Sequence, residues 1–401
     1  MNANMLTFDE AFERLLGYAR PVREIDEIDT MMAAGRVLAV AQHSPICQPP
    51  MDNSAMDGYA LRAADVPLAG TRLPVSQRIP AGSVGHALAA GTAARIFTGA
   101  PLPDGADAVV MQELCEHEGD TVVVNHLPRV GEAVRRAGED VALGAEILPD
   151  GIRLRPQELA LAASVGLARL PVLRRVKVAV FSTGSELVMP GEPLPPGAIY
   201  NSNRFMLRAL LAQLGCEVTD FGIVADDFEA TRKVLRDAAQ GHDLIVTSGG
   251  VSVGEEDHVK PAVEAEGSLD MWKIAMKPGK PLAYGRVHGA AFIGLPGNPV
   301  SSFVTFLLMV RPFILATQGV SEVAPQAVML RAGFDWPRPD RRREFLRARM
   351  TMDGSVALFR NQGAAALNST TWANGLVDVP AATAIANGDP VRFLPYGDLL
   401  W

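Results

Sequence analysis

The 401-residue chain reads as a multidomain protein of the α/β plus β class. It combines a central α/β domain with a mostly parallel sheet, a β-rich domain inserted in the N-terminal half, a linking helical segment and a small β-barrel-like C-terminal domain. Three patterns predict this. From residue 176 onwards, short apolar runs alternate with helically spaced ones, as in strand–helix–strand units. Between 45 and 144, and again beyond 325, apolar runs are short and Gly or Pro recurs every few residues, which is the texture of β-rich domains. Residues 5–20 and 152–168 carry apolar side chains near helical spacing. The expected division is 1–44 with 145–175 for the helical and linking part, 45–144 for the β-rich domain, 176–324 for the α/β domain and 325–401 for the C-terminal β domain.

Taken in order, Leu6, Phe8, Phe12, Leu15 and Leu16 predict an N-terminal helix, with Thr7 and Glu10 as its capping box. Residues 30–41 predict a second short helix, stopped by Pro45, Pro49 and Pro50. A helix within 152–168 ends at Gly166. The α/β region then reads Val176–Thr183 strand, Asn203–Leu214 helix, Cys216–Val224 strand, Phe228–Ala239 helix and Asp243–Ser248 strand. Two or three further strands follow in 269–294, and then an apolar helix from Val300 to Leu315, expected to break late at Pro312. The turns Asp353-Gly354 and Asn387-Gly388 punctuate the last segment, a small barrel or sandwich.

Composition bounds the function. Hydrophobic content of 48% with 20% charged residues fits a soluble globular protein. The longest apolar run, Phe303 to Ala316, contains Arg311 and Pro312, so no transmembrane helix is expected. The first residues hold acids and no basic stretch before a cleavage site, which predicts a cytoplasmic protein. A net charge of −8 argues against nucleic-acid or acidic-membrane partners, and an anionic substrate would need a local basic cluster. Cys47, Cys115 and Cys216 are unevenly spaced and form neither a disulfide framework nor a zinc motif.

The chemistry concentrates where strands end, because ligands of open α/β sheets sit beyond the carboxyl ends. The strand ending at Ser248 runs into Gly249 and Gly250, whose amides can be approached closely and can form an anion nest, with the hydroxyls of Ser248 and Ser252 beside them. Glu255, Glu256 and Asp257 follow at the expected first turn of a helix, where carboxylates also serve as caps. The two preceding strands end in Ser182-Thr183-Gly184-Ser185-Glu186 and Ala225-Asp226-Asp227. Any one of these ends reads equally well as helix capping. Three on one rim favour a site, and Glu186, Asp226 and Asp257 converging there suit Mg²⁺, which bridges a few carboxylates to substrate phosphates.

Lys273, Lys277 and Lys280 lie near the end of an apolar strand among Pro278, Gly279 and Pro281. They are either edge-protecting charges or ammonium groups aimed at a dianion. The turn Pro296-Gly297-Asn298 leads into a helix with Ser301 in its first turn, another place where anions bind. Upstream, Asp57 beside Gly58 sits in a polar, turn-prone loop whose spacing alone leaves its role open.

Together these stretches resemble the molybdopterin molybdenumtransferase family, that is, the bacterial MoeA proteins and the gephyrin E domain. The matching motifs are NSAMDGYA (53–60), IFTGAPLPDGADAVV (96–110), AGED (137–140), STGSEL (182–187), IYNSN (199–203), SGGVSVGEEDHVK (248–260), WKIAMKPGKP (272–281) and GLPGNPVS (294–301). The resemblance implies a cytosolic enzyme that inserts molybdate into adenylylated molybdopterin and cleaves the phosphoanhydride with release of AMP, with Mg²⁺ required. By motif it carries over Asp57, Thr98, Asp140, Glu186, Asp226, Asp257, Lys273 and Lys277 as catalytic. It adds Lys280 and, in Glu344-Phe345-Leu346-Arg347, Arg347 as molybdate contacts. The pattern departs after Gln362-Gly363, where the family usually has Ser and this chain has Ala364. A missing hydroxyl there would remove a hydrogen bond to the oxyanion, on the order of 1.5 to 3 kcal/mol.

The resemblance further implies an elongated homodimer with shared sites, and contacts with the adenylyltransferase and with acceptor molybdoenzymes. Two rivals stand beside it. Residues 176–320 alone also resemble a single-domain molybdopterin adenylyltransferase, and gephyrin-type domains also act as non-enzymatic scaffolds.

Overall fold

The structure, a computed structural model describing residues 5–250 and 258–400, is organised around a seven-stranded mixed sheet. Its strand order is Met5–Leu6, Gly267–Ile274, Pro281–Val287, Ala290–Leu295, Leu244–Ser248, Lys177–Thr183 and Glu217–Val224. The last four run parallel. Pro281–Val287 is antiparallel to both of its neighbours, and two reversals restore the direction. Gly267–Ile274 therefore ends on the same rim as the parallel strands.

Val178, Ala179, Val180 and Phe181 are all buried, because helices cover both faces of the sheet. Val178, Val180, Val246 and Ile293 pack on one side with the helices over Ser202–Gln213 and Pro299–Thr317. Ala179, Phe181, Ile245 and Phe292 pack on the other with Phe228–Ala239 and Val259–Glu266.

The N-terminal helix is Phe8–Tyr18, with the capping box of Thr7 and Glu10 in place and Ala11 and Leu15 buried. It packs into the core of the seven-stranded sheet, as does the strand Met5–Leu6 before it. The helix expected over 30–41 is absent. A single 3-10 turn, Thr30–Met32, gives way at Gly35, whose φ of 74° leaves the helical region. Beyond it the chain is extended, and the N–H groups of Gly35 and Leu38 donate to the carbonyls of Leu154 and Ile152. Val37 and Leu38 are buried by this pairing, so their apolar character marks a core edge rather than a helix face.

The β-rich region holds a six-stranded sheet in the order Ala108–Met111, Gly58–Leu61, Ala93–Ile96, Thr71–Ile79, Thr121–Val124 and Cys115–Glu118. The linking helix is Pro156–Ser164, stopped at Gly166, where φ is 85°. It is followed by Arg169–Leu173, which pairs with Ile25–Asp29.

The apolar helix runs unbroken from Pro299 to Thr317. The break expected at Pro312 does not occur, because a π-helical stretch, Phe306–Val310, precedes a new α segment in which Pro312 sits in the first turn. A missing N–H costs little there. This helix is long and apolar enough to cross a membrane, and almost all of it is buried inside the protein. In the C-terminal region Arg343–Met350, Ser355–Leu358, Val328–Ala332, Pro390–Pro395 and Gly375–Val379 close into a small barrel, the first strand pairing with the last. Met276–Lys277 joins this barrel parallel to Arg343–Glu344, which carries the lysine loop from the large sheet to the barrel.

Candidate functional site

A cleft of about 640 Å³ opens where the carboxyl rim of the large sheet meets the barrel. Four of the expected strand-end and loop groups line it. Glu186 follows the strand Lys177–Thr183, Asp226 follows Glu217–Val224, Gly249 and Gly250 follow Leu244–Ser248, and Lys277 and Lys280 follow Gly267–Ile274. Pro296, Gly297, Asn298 and Ser301 complete the sheet side, with the Gly297 carbonyl held by Asn203 Nδ2 at 2.8 Å. The barrel contributes Arg342, Gln362, Gly363 and Ala364.

Two glycines show why the sequence permits so narrow a turn. Gly250 has φ of 64°, and a Cβ there would collide with the Val259 side chain. Gly279, at φ of 109°, would collide with Thr305 Oγ1. The expected anion nest is reduced by one donor, since the Gly249 N–H is given to the Leu295 carbonyl at 3.1 Å. Asp226 and its neighbour part company: Asp226 lines the cleft, while Asp227 caps the following helix through the Ala230 N–H at 2.8 Å.

The basic side of the cleft is fixed by ion pairs. Lys277 Nζ lies 3.1 Å from Glu344 Oε1 and 3.5 Å from Asp340 Oδ2. Arg342 grips Asp340 with two bonds, Nε to Oδ1 at 3.0 Å and Nη2 to Oδ2 at 2.8 Å. The Arg342 guanidinium is the main cause holding the Asp340 carboxyl far below the usual carboxylate range. Glu344 is buried and also accepts from Trp336 Nε1 and the Asp340 N–H. Both cations are thus anchored from behind, which lowers the cost of presenting them to an anion.

Arg347 does not line this cleft. It is fully buried, and burial lowers its guanidinium to about 10. The guanidinium donates to the Gly363 carbonyl at 3.2 Å, to Ser369 Oγ at 3.1 Å and to the Phe345 carbonyl at 3.3 Å. The Arg347 backbone and the Gln362 amide exchange two further bonds of 2.9 Å. In this structure Arg347 supports the Gln362–Ala364 loop. Arg347→Met should lower the unfolding free energy in urea by about 2 to 4 kcal/mol, because three acceptors lose their donors. An unchanged urea midpoint together with lost molybdate binding would restore direct contact. Arg342 is the arginine that sequence reasoning missed, although it stands in the basic run just before the Glu344–Arg347 motif. Thr183 was also missed as a liner, and its Oγ1 is buried without a hydrogen-bond partner among the described residues.

Other expected residues fall elsewhere. Lys273 is exposed at the end of its strand on the same rim but does not line the cleft. Ser248 is buried at the strand end. Ser252 and Asp257 lie outside the described residues. Asp57 and Thr98 meet in the β-rich region, where the Thr98 N–H and hydroxyl donate to Asp57 Oδ1 at 2.8 and 2.7 Å. Those bonds, chiefly the one from the backbone, hold the Asp57 carboxyl below its ordinary value. Asp140 is exposed on a separate turn, its N–H bonded to the Gln48 carbonyl. None of these three lines the cleft of its own chain.

Comparison with known proteins accounts for nearly the whole chain. Residues 6–166 match the MoeA N-terminal region (domain I and II), 179–316 a probable molybdopterin binding domain, and 329–396 the MoeA C-terminal region (domain IV). A molybdopterin molybdenumtransferase of Haemophilus influenzae is 43% identical over 316 residues, covering 79% of this chain and 78% of the relative. One from Synechococcus elongatus is 36% identical over 401 residues, covering 97% and 99%. The crystal structure of a molybdopterin biosynthesis MoeA protein from Pyrococcus horikoshii superposes with a TM-score of 0.85 at 28% identity, covering 98% of this chain and 100% of that one. With all three regions matched in family order along the chain, it belongs to the molybdopterin molybdenumtransferase family and is a transferase of molybdenum cofactor biosynthesis.

Proposed function

We propose that the cleft between the sheet rim and the barrel binds adenylylated molybdopterin and molybdate, and that molybdate is inserted there with release of AMP. The observation that carries this reading is one cavity with two carboxylates, Glu186 and Asp226, on one side and three cations, Lys277, Lys280 and Arg342, on the other. A phosphoanhydride and an oxyanion both bring negative charge, and fixed cations stabilise it as it builds up in the transition state.

The donor set suits Mg²⁺. Two carboxylates and no histidine or thiolate line the cleft among the described residues, and Mg²⁺ takes one or two carboxylates together with substrate phosphates. Glu186 and Asp226 would hold it, and when bound it would neutralise charge on the phosphoanhydride. Lys277 and Arg342 orient the oxyanion from ion pairs that are already formed, and Gly249 and Gly250 line the same cleft at the end of the central strand.

The test is AMP release from adenylylated molybdopterin with and without molybdate and Mg²⁺. Release that depends on both is expected. ATP-dependent accumulation of adenylylated pterin would make the chain an adenylyltransferase instead, and binding without release would make it a scaffold.

Ala364 lines this cleft where the family usually carries a hydroxyl. Ala364→Ser should lower the molybdate concentration for half-maximal insertion by about 10-fold, the equivalent of one hydrogen bond to a charged group, with little change at saturation. An unchanged molybdate dependence would remove position 364 from oxyanion binding.

The reading also includes an assembly. Asp57 and Thr98 do not line the cleft of their own chain, and a twofold homodimer would let one subunit's β-rich region complete the cleft of the other.

A further inference from the structure

The carboxylate of Asp57 is presented in one particular way. Both Thr98 donors converge on Oδ1, and Oδ2 accepts no hydrogen bond among the described residues. The loop that aims it is held from one side chain that no motif singled out, Arg95. Arg95 lies on the strand Ala93–Ile96, directly opposite Tyr59 in the antiparallel pair with Gly58–Leu61. Its guanidinium carbon lies over the Tyr59 ring, 5.1 Å from the centroid, and over the Phe97 ring, 4.7 Å from the centroid.

From that position Arg95 Nη1 donates to the Gly58 carbonyl at 2.9 Å, and Nη2 donates to Gln112 Oε1. Gln112 in turn donates its backbone N–H to the Asp57 carbonyl at 3.0 Å. The two carbonyls at the Asp57–Gly58 step are thus tied to one guanidinium, one directly and one through Gln112. The other side of the step is closed too, since Gly58 packs so tightly on the Val110 carbonyl that a Cβ would not fit. Arg95 forms no ion pair with a carboxylate among the described residues, so its charge is not spent on a structural partner.

We infer that Arg95 is a positioning residue for the reaction, fixing the Asp57 loop so that the open carboxylate oxygen and the Thr98 hydroxyl face the substrate together. This rests on Asp57 acting in the reaction as proposed above. A group held against two aromatic rings and by two hydrogen bonds from different nitrogens depends on guanidinium shape as well as charge, so Lys cannot replace it. Arg78 supplies the contrast: it lies over Phe97 at 4.5 Å but donates nothing to the Asp57 loop.

The experiment compares steady-state AMP release by full-length variants, with thermal unfolding measured for each. Arg95→Met should lower kcat by about 100-fold with KM within about threefold, as expected when a reacting group is misplaced by about an ångström. Arg95→Lys should not recover it. Arg78→Ala should stay within about threefold of wild type, since it breaks no bond to the loop. The double variant Arg95→Met/Asp57→Asn should be no slower than Asp57→Asn alone, because both lesions remove the same contribution.

An Arg95→Met kcat within about threefold of wild type, while Asp57→Asn is inactive, overturns the inference and leaves the proposed function standing. Full recovery by Arg95→Lys, or additive losses in the double variant, overturns it as well. An active Asp57→Asn instead overturns the role of Asp57 itself. Should Arg95→Met fail to fold, Gln112→Leu decides: a loss of about tenfold in kcat supports the clamp, and an unchanged kcat refutes it.

Discussion

Lys277→Gln should reduce AMP release by about 100- to 1,000-fold, the cost of removing one preorganised donor to a developing oxyanion. The lysine enters the cleft from a strand that belongs to the barrel, since Met276–Lys277 pairs with Arg343–Glu344. Its Nζ, 3.1 Å from a carboxylate that is almost fully buried, has its position set before substrate arrives. Gln keeps some length and polarity and loses the charge. The structural cost is smaller. Glu344 retains the Trp336 Nε1 and Asp340 N–H bonds, and the Lys277 side chain is 41% exposed, so solvent already screens the pair. A loss of about 1 to 3 kcal/mol in urea unfolding is expected, because the buried Glu344 Oε1 loses its cation while Oε2 keeps its donors. Turnover within threefold of wild type at saturating substrate would place the chemistry away from this side of the cleft.

Much of the cleft was legible in the sequence because strand ends can be read. Buried parallel strands appear as unbroken apolar runs, and the residues that follow them must fall on one rim. Glu186, Asp226, Gly249, Gly250, Lys277, Lys280 and Ser301 meet there as expected. That Arg347 is buried while Arg342 lines the cleft was not legible, for a physical reason. In a strand that packs on both faces the period-2 alternation disappears, and Glu344 to Ala348 are all buried. Nothing in the pattern then tells an inward Arg347 from a cleft-facing Arg342 one residue before the strand.

The failures over 30–41 and at Pro312 have a related cause. Apolar residues such as Val37 and Leu38 satisfy a helical template, yet the N–H groups of Gly35 and Leu38 found carbonyls on the returning 152–154 segment. Tertiary pairing of that kind leaves no local trace. Pro312 was read as a helix interior because the π stretch that makes it a first-turn position is a property of packing rather than of composition.

Asp57 does not line the cleft of its own chain, and that separation sets up the largest test of assembly. Asp57→Ala and Asp226→Ala should each leave almost no activity alone, one removing the carboxylate on the β-rich region and the other a carboxylate of the cleft. In a homodimer with shared sites, each site takes Asp226 from one subunit and Asp57 from its partner. When the two variants are unfolded, mixed in equal amounts and refolded, random pairing makes about half the dimers mixed. Every mixed dimer then has one site carrying both lesions and one carrying neither, so about a quarter of wild-type sites should return. Were Asp57 to serve the cleft of its own chain, each site in a mixed dimer would keep one lesion and activity would stay at the level of the separate variants. Distinct affinity tags on the two variants isolate the mixed dimers, and mixed dimers that are pure yet inactive would defeat the shared-site assembly.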